Sequence, residues 1–142
     1  MASFNFDNAA RALAKADTDY DTLTLKVLLV SAAPNRATMV NRSDLTSELS
    51  ATGGYTTGGI AQAFTLDALD TTNHRQSITF TNITNGWSAF TPSSPIVGAV
   101  IYKSTGTAST DTLLTYVELT VGTQPSAGTF SITYSTPLYI NA

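Results

Sequence analysis

Cysteine is absent from all 142 residues, which removes disulfides and thiolate metal sites and leaves stability to packing. Histidine occurs once, so a nucleophilic triad or a histidine-rich metal site would have to use His74. Its neighbours Asp70 and Ser77 belong to one turn and the strand after it, whereas nucleophilic catalysis draws partners from separate, rigidly held elements. Charge is scarce too: Asp, Glu, Lys and Arg make up 12% of the chain, against about 25% in ordinary soluble domains. The seven basic residues are scattered from Arg11 to Lys103 and the net charge is -3. Direct nucleic-acid binding, which needs a concentrated basic face, is therefore disfavoured. No apolar run approaches the roughly 20 residues of a membrane helix, and Met1-Ala2-Ser3-Phe4-Asn5 lacks the basic and apolar regions of a signal peptide. The expectation is one domain, made and used without secretion or membrane insertion.

Threonine, serine and asparagine stand where the charges would be. Interface cores between proteins are depleted in charge, so a hydroxyl-rich, weakly charged exterior predicts a subunit held in an assembly. An extracellular β-domain is the alternative that composition leaves open.

The pattern of apolar residues predicts an all-β fold. IVGAVIY at 96–102 is continuously apolar and β-branched, as in a strand buried on both faces and placed mid-sheet. After the polar loop KSTGTASTDT at 103–112, residues 113–120 return as a strand. A glycine- and proline-bearing turn at 122–128 then leads to 129–134, where Phe130, Ile132 and Tyr134 share one pleated face. These three runs read as a meander. Further strands are expected at 23–31 (LTLKVLLVS), 61–69, 76–82, 83–90 and, as an edge strand, 137–140.

Helix is expected only at 4–16, where Phe6, Ala10, Leu13 and Ala14 fall on one helical face with Asn5 or Asp7 as cap. A single helical turn is expected at 44–49. At about ten residues the first helix is marginal alone and must lean on a sheet or a neighbouring subunit. Residues 1–22 thus form an arm, and 23–142 the β domain.

Few residues invite chemistry. Asp17, Asp19 and Asp21 are spaced as in a calcium loop, but neither the turn glycine nor the closing glutamate follows, so a solvated connector is the better reading. The glycine pairs around Tyr55 in GGYTTGG at 53–59 lack the Lys-Ser/Thr sequel of a phosphate loop and predict paired turns that bring Tyr55 back onto the sheet. The acid pairs Asp44 with Glu48 and Asp67 with Asp70 could serve a glycosidase, although short loops carry such acids for solubility. Tyr20, Tyr55, Trp87 and Tyr139 could make a sugar platform or be core and subunit-contact residues.

The order of motifs has a likeness. An N-terminal helical arm leads to TLKVLLVS (24–31), then DLTSELS (44–50), GYTTGG (54–59), Trp87, GAVIYKSTG (98–106) and GTFSITY (128–134). This resembles a family of small tailed-bacteriophage virion proteins, encoded near the major capsid protein and labelled structural or head-decoration proteins. The resemblance spans about residues 4–140. It implies a jelly-roll-like β-sandwich, a homodimer or homotrimer, and a cement role on the outer surface of the phage head, with the major capsid protein as partner. The protein would be made in the host bacterial cytoplasm. No enzyme activity, catalytic residue, cofactor or metal is implied. Candidate contacts with capsid or neighbouring subunits are Phe4, Phe6, Ala10 and Leu13 on the arm, Tyr55, Trp87, and Lys103 and Thr105 in the 103–112 loop. The alternative role is a tail, adaptor or host-surface glycan-binding virion component on the same sandwich.

Overall fold

The structure, a computed structural model, describes residues 3–9, 23–119, 128–135 and 137–141. The expected all-β architecture is observed. The strands are β1 (Phe4–Asn5), β2 (Leu25–Val30), β3 (Ile60–Ala61), β4 (Phe64–Leu66), β5 (Arg75–Phe80), β6 (Ile83–Phe90), β7 (Gly98–Lys103), β8 (Thr112–Glu118), β9 (Gly128–Ile132) and β10 (Leu138–Asn141). They form three antiparallel sheets: a five-stranded one in the order β1-β8-β7-β2-β3, a three-stranded one, β10-β5-β4, and the pair β6-β9.

Strand β7 lies between β2 and β8, mid-sheet, and its run GAVIYK is buried along nearly its whole length. Period-two alternation sends Leu25, Val27, Leu29, Ala99, Ile101 and Leu114 to one face. There they meet Ile78, Phe80, Trp87, Phe90, Phe130 and Ile132 from the other two sheets, which closes a β-sandwich. The opposite face carries Leu28, Val30, Val100, Tyr102, Leu113 and Tyr116. It is covered by Phe4 and Phe6 of the N-terminal segment and by Ala33, Met39 and Leu45 of the long loop after β2. Each such fully buried aliphatic or aromatic side chain contributes about 1.5–3 kcal/mol, so the central sheet draws on both faces.

A bulge reconciles β8 with that double burial. The register passes from Tyr102↔Leu113 to Ile101↔Thr115, leaving Leu114 as the extra residue. Two successive residues, Leu114 and Thr115, then oppose Ile101, and both Leu113 and Tyr116 reach the loop-covered face.

Several expectations are corrected. Phe4–Asn5 is an edge strand paired with Tyr116 and Thr115, not the start of a helix. The described part of the arm is helical only from Asp7 to Ala9, and the rest of the expected helix lies outside the described residues. The described part of the arm is therefore integrated into the domain. The helical turn expected at 44–49 is instead a 3-10 turn at Arg42–Asp44, because the Asp44 carboxylate turns back to accept from the N–H groups of Val40 and Asn41, both at 2.9 Å. The third strand of the meander, β9, leaves β8 and pairs with β6 across the core.

The run 61–69 splits at Gln62, whose amide bridges the layers. Gln62 N–H donates to the Leu25 carbonyl at 2.9 Å. Its side chain donates to the carbonyls of Ala63 and Thr81 at 2.7 and 2.9 Å and accepts from the Tyr134 hydroxyl. A residue 3% exposed thus has its polar atoms satisfied.

Candidate functional site

The glycine-flanked tyrosine is where the two layers are joined. Gly53 has φ +57, and a Cβ there would lie 1.8 Å from the Thr91 carbonyl oxygen at the end of β6. Gly59 has φ +69, and its Cβ would lie 1.8 Å from the Val27 carbonyl oxygen of β2. Both turns need glycine for conformation and for space. Between them Tyr55 enters the core, 4% exposed, with its ring stacked 6.3 Å from that of Trp87. This is the placement the sequence predicts.

The Tyr55 hydroxyl opens a chain of polar groups. It accepts from the Leu29 N–H at 3.2 Å and donates to Glu48 Oε1 at 3.0 Å. The same carboxylate oxygen accepts from the Gly58 N–H, and Glu48 Oε2 lies 3.8 Å from Arg42 Nη1. Arg42 Nε donates to Asp111 Oδ2 at 2.9 Å, while its guanidinium sits over the Tyr102 ring, 5.6 Å from the centroid. Tyr102 closes the circuit by donating to the Gly58 carbonyl at 2.6 Å. Burial pushes the Tyr102 hydroxyl up to about 12 and, helped by the Glu48 carboxylate, raises Tyr55 as well. Both hydroxyls therefore remain protonated donors at neutral pH.

Asp111 is the far end of this chain and the anchor of the 103–112 loop. It is 1% exposed, and its Oδ1 accepts from the Thr105 N–H at 2.6 Å and from Thr105 Oγ1 at 3.0 Å. Burial pushes its carboxyl up, but the donors from Thr105 and Arg42 outweigh that and hold it below the usual carboxylate range. Main-chain bonds from Arg42 N–H to the Asp111 carbonyl, 2.8 Å, and from Ser43 N–H to the Ala108 carbonyl, 3.0 Å, tie the loop to the 3-10 turn. The surface loop is fixed from beneath.

The proposed contact residues fall into three groups. Phe6, Tyr55 and Trp87 are 1%, 4% and 2% exposed, so their rings serve the protein's own core rather than offering area to a partner. Phe4 is half-buried, with its ring 5.0 Å from Tyr116 and edge-on to Phe6 at 5.4 Å. Lys103 ends β7 half-buried, and Thr105 is exposed at the start of the anchored loop. Ala10 and Leu13 lie outside the described residues, as do Asp17, Asp19, Asp21, Tyr20 and the turn at 122–127.

Of the sugar-platform aromatics among the described residues only Tyr139 is exposed, at 40%, and the Arg75 guanidinium lies 4.0 Å from its ring centroid. The paired acids are each engaged in local bonds. Asp44 holds the 3-10 turn, and Asp67 Oδ2 accepts from the hydroxyls of Ser77 and Thr79 at 2.7 and 2.8 Å. Asp70 is held down to about 2 by donors from Asn73 and Arg75. His74 occupies the same turn with φ 51. Among the described residues there is no cluster of three or more metal-ligating side chains, and no helix long and apolar enough to cross a membrane.

Sequence reasoning missed Arg42, Asp111 and Gln62. The one available signal was Asp111 itself, a lone acid near the end of a loop that after Lys103 is otherwise made of small residues. No protein-family model, curated protein or solved structure matches the chain.

Proposed function

We propose that this chain is a bacteriophage capsid decoration protein that binds the outside of the head, bridges major capsid subunits as a homo-oligomer, and stabilises the shell without catalysis. The jelly-roll kinship of the sandwich belongs to the same reading. The observation that carries it is the anchored loop after β7. From Ser104 to Thr110 it carries no charge, and Asp111 and Arg42 hold it in one shape from below. A loop ordered in advance loses little conformational entropy on docking, and uncharged hydroxyl-bearing side chains suit the charge-poor centre of an interface. Bridging works because separating two capsid subunits would then also expose the bridging surface. Several modest contacts made at once by an oligomer add up through effective concentration.

The test is co-sedimentation of the purified chain with empty phage heads. Binding should saturate at a fixed number of copies per capsid. The double substitution Thr107→Glu, Ser109→Glu should weaken it at least tenfold while leaving the thermal unfolding curve unchanged. Absence of binding to heads overturns the reading, and undiminished binding by the double variant removes the loop from it.

One observation favours the second reading, a tail or host-surface glycan-binding component. The exposed Tyr139 ring lies on the outer face of β10-β5-β4 beside Arg75, Ser77 and Asp67. Retention on a glycan array that is lost in Tyr139→Ala would decide for it.

A further inference from the structure

Among the described residues, strand β4 is an open edge whose one guard is its length of three residues. It belongs to the ladder β10-β5-β4 and among the described residues pairs only with β5: Phe64↔Phe80, Thr65↔Thr79, Leu66↔Ile78. Its residues include no Lys, no Pro and no bulge, the devices by which sheet edges resist pairing with another chain. Of the other edges, β10 follows Pro137, β1 and β3 are shorter still at two residues, and the β6–β9 pair is broken by register shifts, with positive φ at Asn85 and Ala89 in β6.

The hydrogen-bond phase of β4 is set on both sides. Thr81 N–H donates to the Ala63 carbonyl at 2.9 Å and Asp67 N–H to the Ser77 carbonyl at 3.0 Å. In an antiparallel ladder the bonded residues alternate, so Ala63, Thr65 and Asp67 turn their main-chain groups toward β5. Phe64 and Leu66 turn theirs outward. On the same edge Leu66 is 43% exposed, although it sits opposite the fully buried Ile78, and Leu69 just beyond is 65% exposed.

From this we infer that the occupant of the edge is a second copy of this chain, paired β4 to β4 about a two-fold axis at Thr65. The segment is its own complement in that register. Phe64 of each copy exchanges both main-chain bonds with Leu66 of the other, giving four bonds in all. Thr65 meets Thr65 as the close, non-bonded pair, and Ala63 meets Asp67, so no like charges face each other. The axis is perpendicular to the sheet, which keeps the apolar face of both copies on one side. Leu66 of one copy then lies beside Phe64 of the other, covering the two side chains the lone edge leaves half-open. The result is a six-stranded sheet running through two sandwiches, an isologous contact. It stands whether or not the chain decorates a capsid.

The natural lack of cysteine makes the test clean. In a non-bonded antiparallel pair the Cα atoms lie about 4.5 Å apart, within the roughly 4.4–6.8 Å that a disulfide spans. Mild oxidation of the full-length Thr65→Cys variant should convert most of it to a covalent dimer on non-reducing gels, while Thr107→Cys on the distant loop stays monomeric. By sedimentation velocity the native chain should shift from monomer to dimer with rising concentration. Leu66→Lys should move that transition at least tenfold higher in concentration with an unchanged circular dichroism spectrum. A native chain that remains monomeric at near-millimolar concentration overturns the inference. So does a dimer in which Thr65→Cys fails to cross-link or Leu66→Lys changes nothing.

Discussion

Gly59 shows how much a single residue decides here. Its backbone is left-handed, and its missing Cβ is the space occupied by the Val27 carbonyl. Gly59→Ala should cost about 2–4 kcal/mol in urea unfolding, combining unfavourable φ with overpacking. Gly106 has φ +89 but open space around it, so Gly106→Ala should cost only about 1–2 kcal/mol. Equal losses at the two sites would show that conformation alone matters. Asp111 gives a prediction with a pH signature. Its folded pKa lies below the value of about 3.9 in an unfolded chain, so its contribution is complete above that value and is lost as pH falls through the folded one. Asp111→Asn should cost about 1.5–3 kcal/mol at pH 7, since it takes from half-buried Arg42 its nearer counter-ion and leaves only Glu48 at 3.8 Å. The difference between variant and native protein should shrink as pH drops below about 4. A constant difference across that window would assign the loss to packing.

At the scale of elements, the N-terminal segment differs most from its sequence reading. Phe6 sits 1% exposed under Phe4 and beside Tyr116, and its N–H donates to the Leu114 carbonyl at 3.0 Å. Phe6→Ala should therefore cost about 3–5 kcal/mol, read from the urea midpoint. A loss under about 1 kcal/mol would mean that the segment is an appendage after all. The spacing of Phe6, Ala10 and Leu13 suggested a helix because a two-residue strand is too short to show any alternation. Long strands were legible: β7 from an unbroken apolar run, β2 from one interrupted only by Lys26, and the inward face of β9 from alternate large residues. The partner of β9 was not, because a turn between β8 and β9 has the same chemistry whether the chain folds back in its sheet or crosses to the other. Gln62 was hidden for a similar reason. A polar residue inside an apolar run reads as the wet side of a strand, and only the carbonyls around it reveal a corner between layers. Arg42 and Asp111 are 69 positions apart, beyond any local pattern, so the site that anchors the loop was invisible while the loop itself was not.

Over the whole molecule, Trp87 is a built-in reporter. It lies where the layers meet, against Tyr55, Phe90 and Phe130, while the backbone signal is drawn from all three sheets. If the sandwich unfolds as one unit, Trp87 fluorescence and far-ultraviolet circular dichroism should give coincident urea transitions. A gap between the two curves would divide the layers into separate cooperative blocks. The pairing of Phe4 with Tyr116 has a consequence for how the protein comes into being. Sheet order sets β1 beside β8, so during translation Phe4 and Asn5 have no mate until the chain has grown past residue 116. Contacts between such distant positions close slowly. Until then Phe4 and Phe6 travel as sticky, uncovered aromatics on a nascent chain, and their burial waits for the strand that seats them.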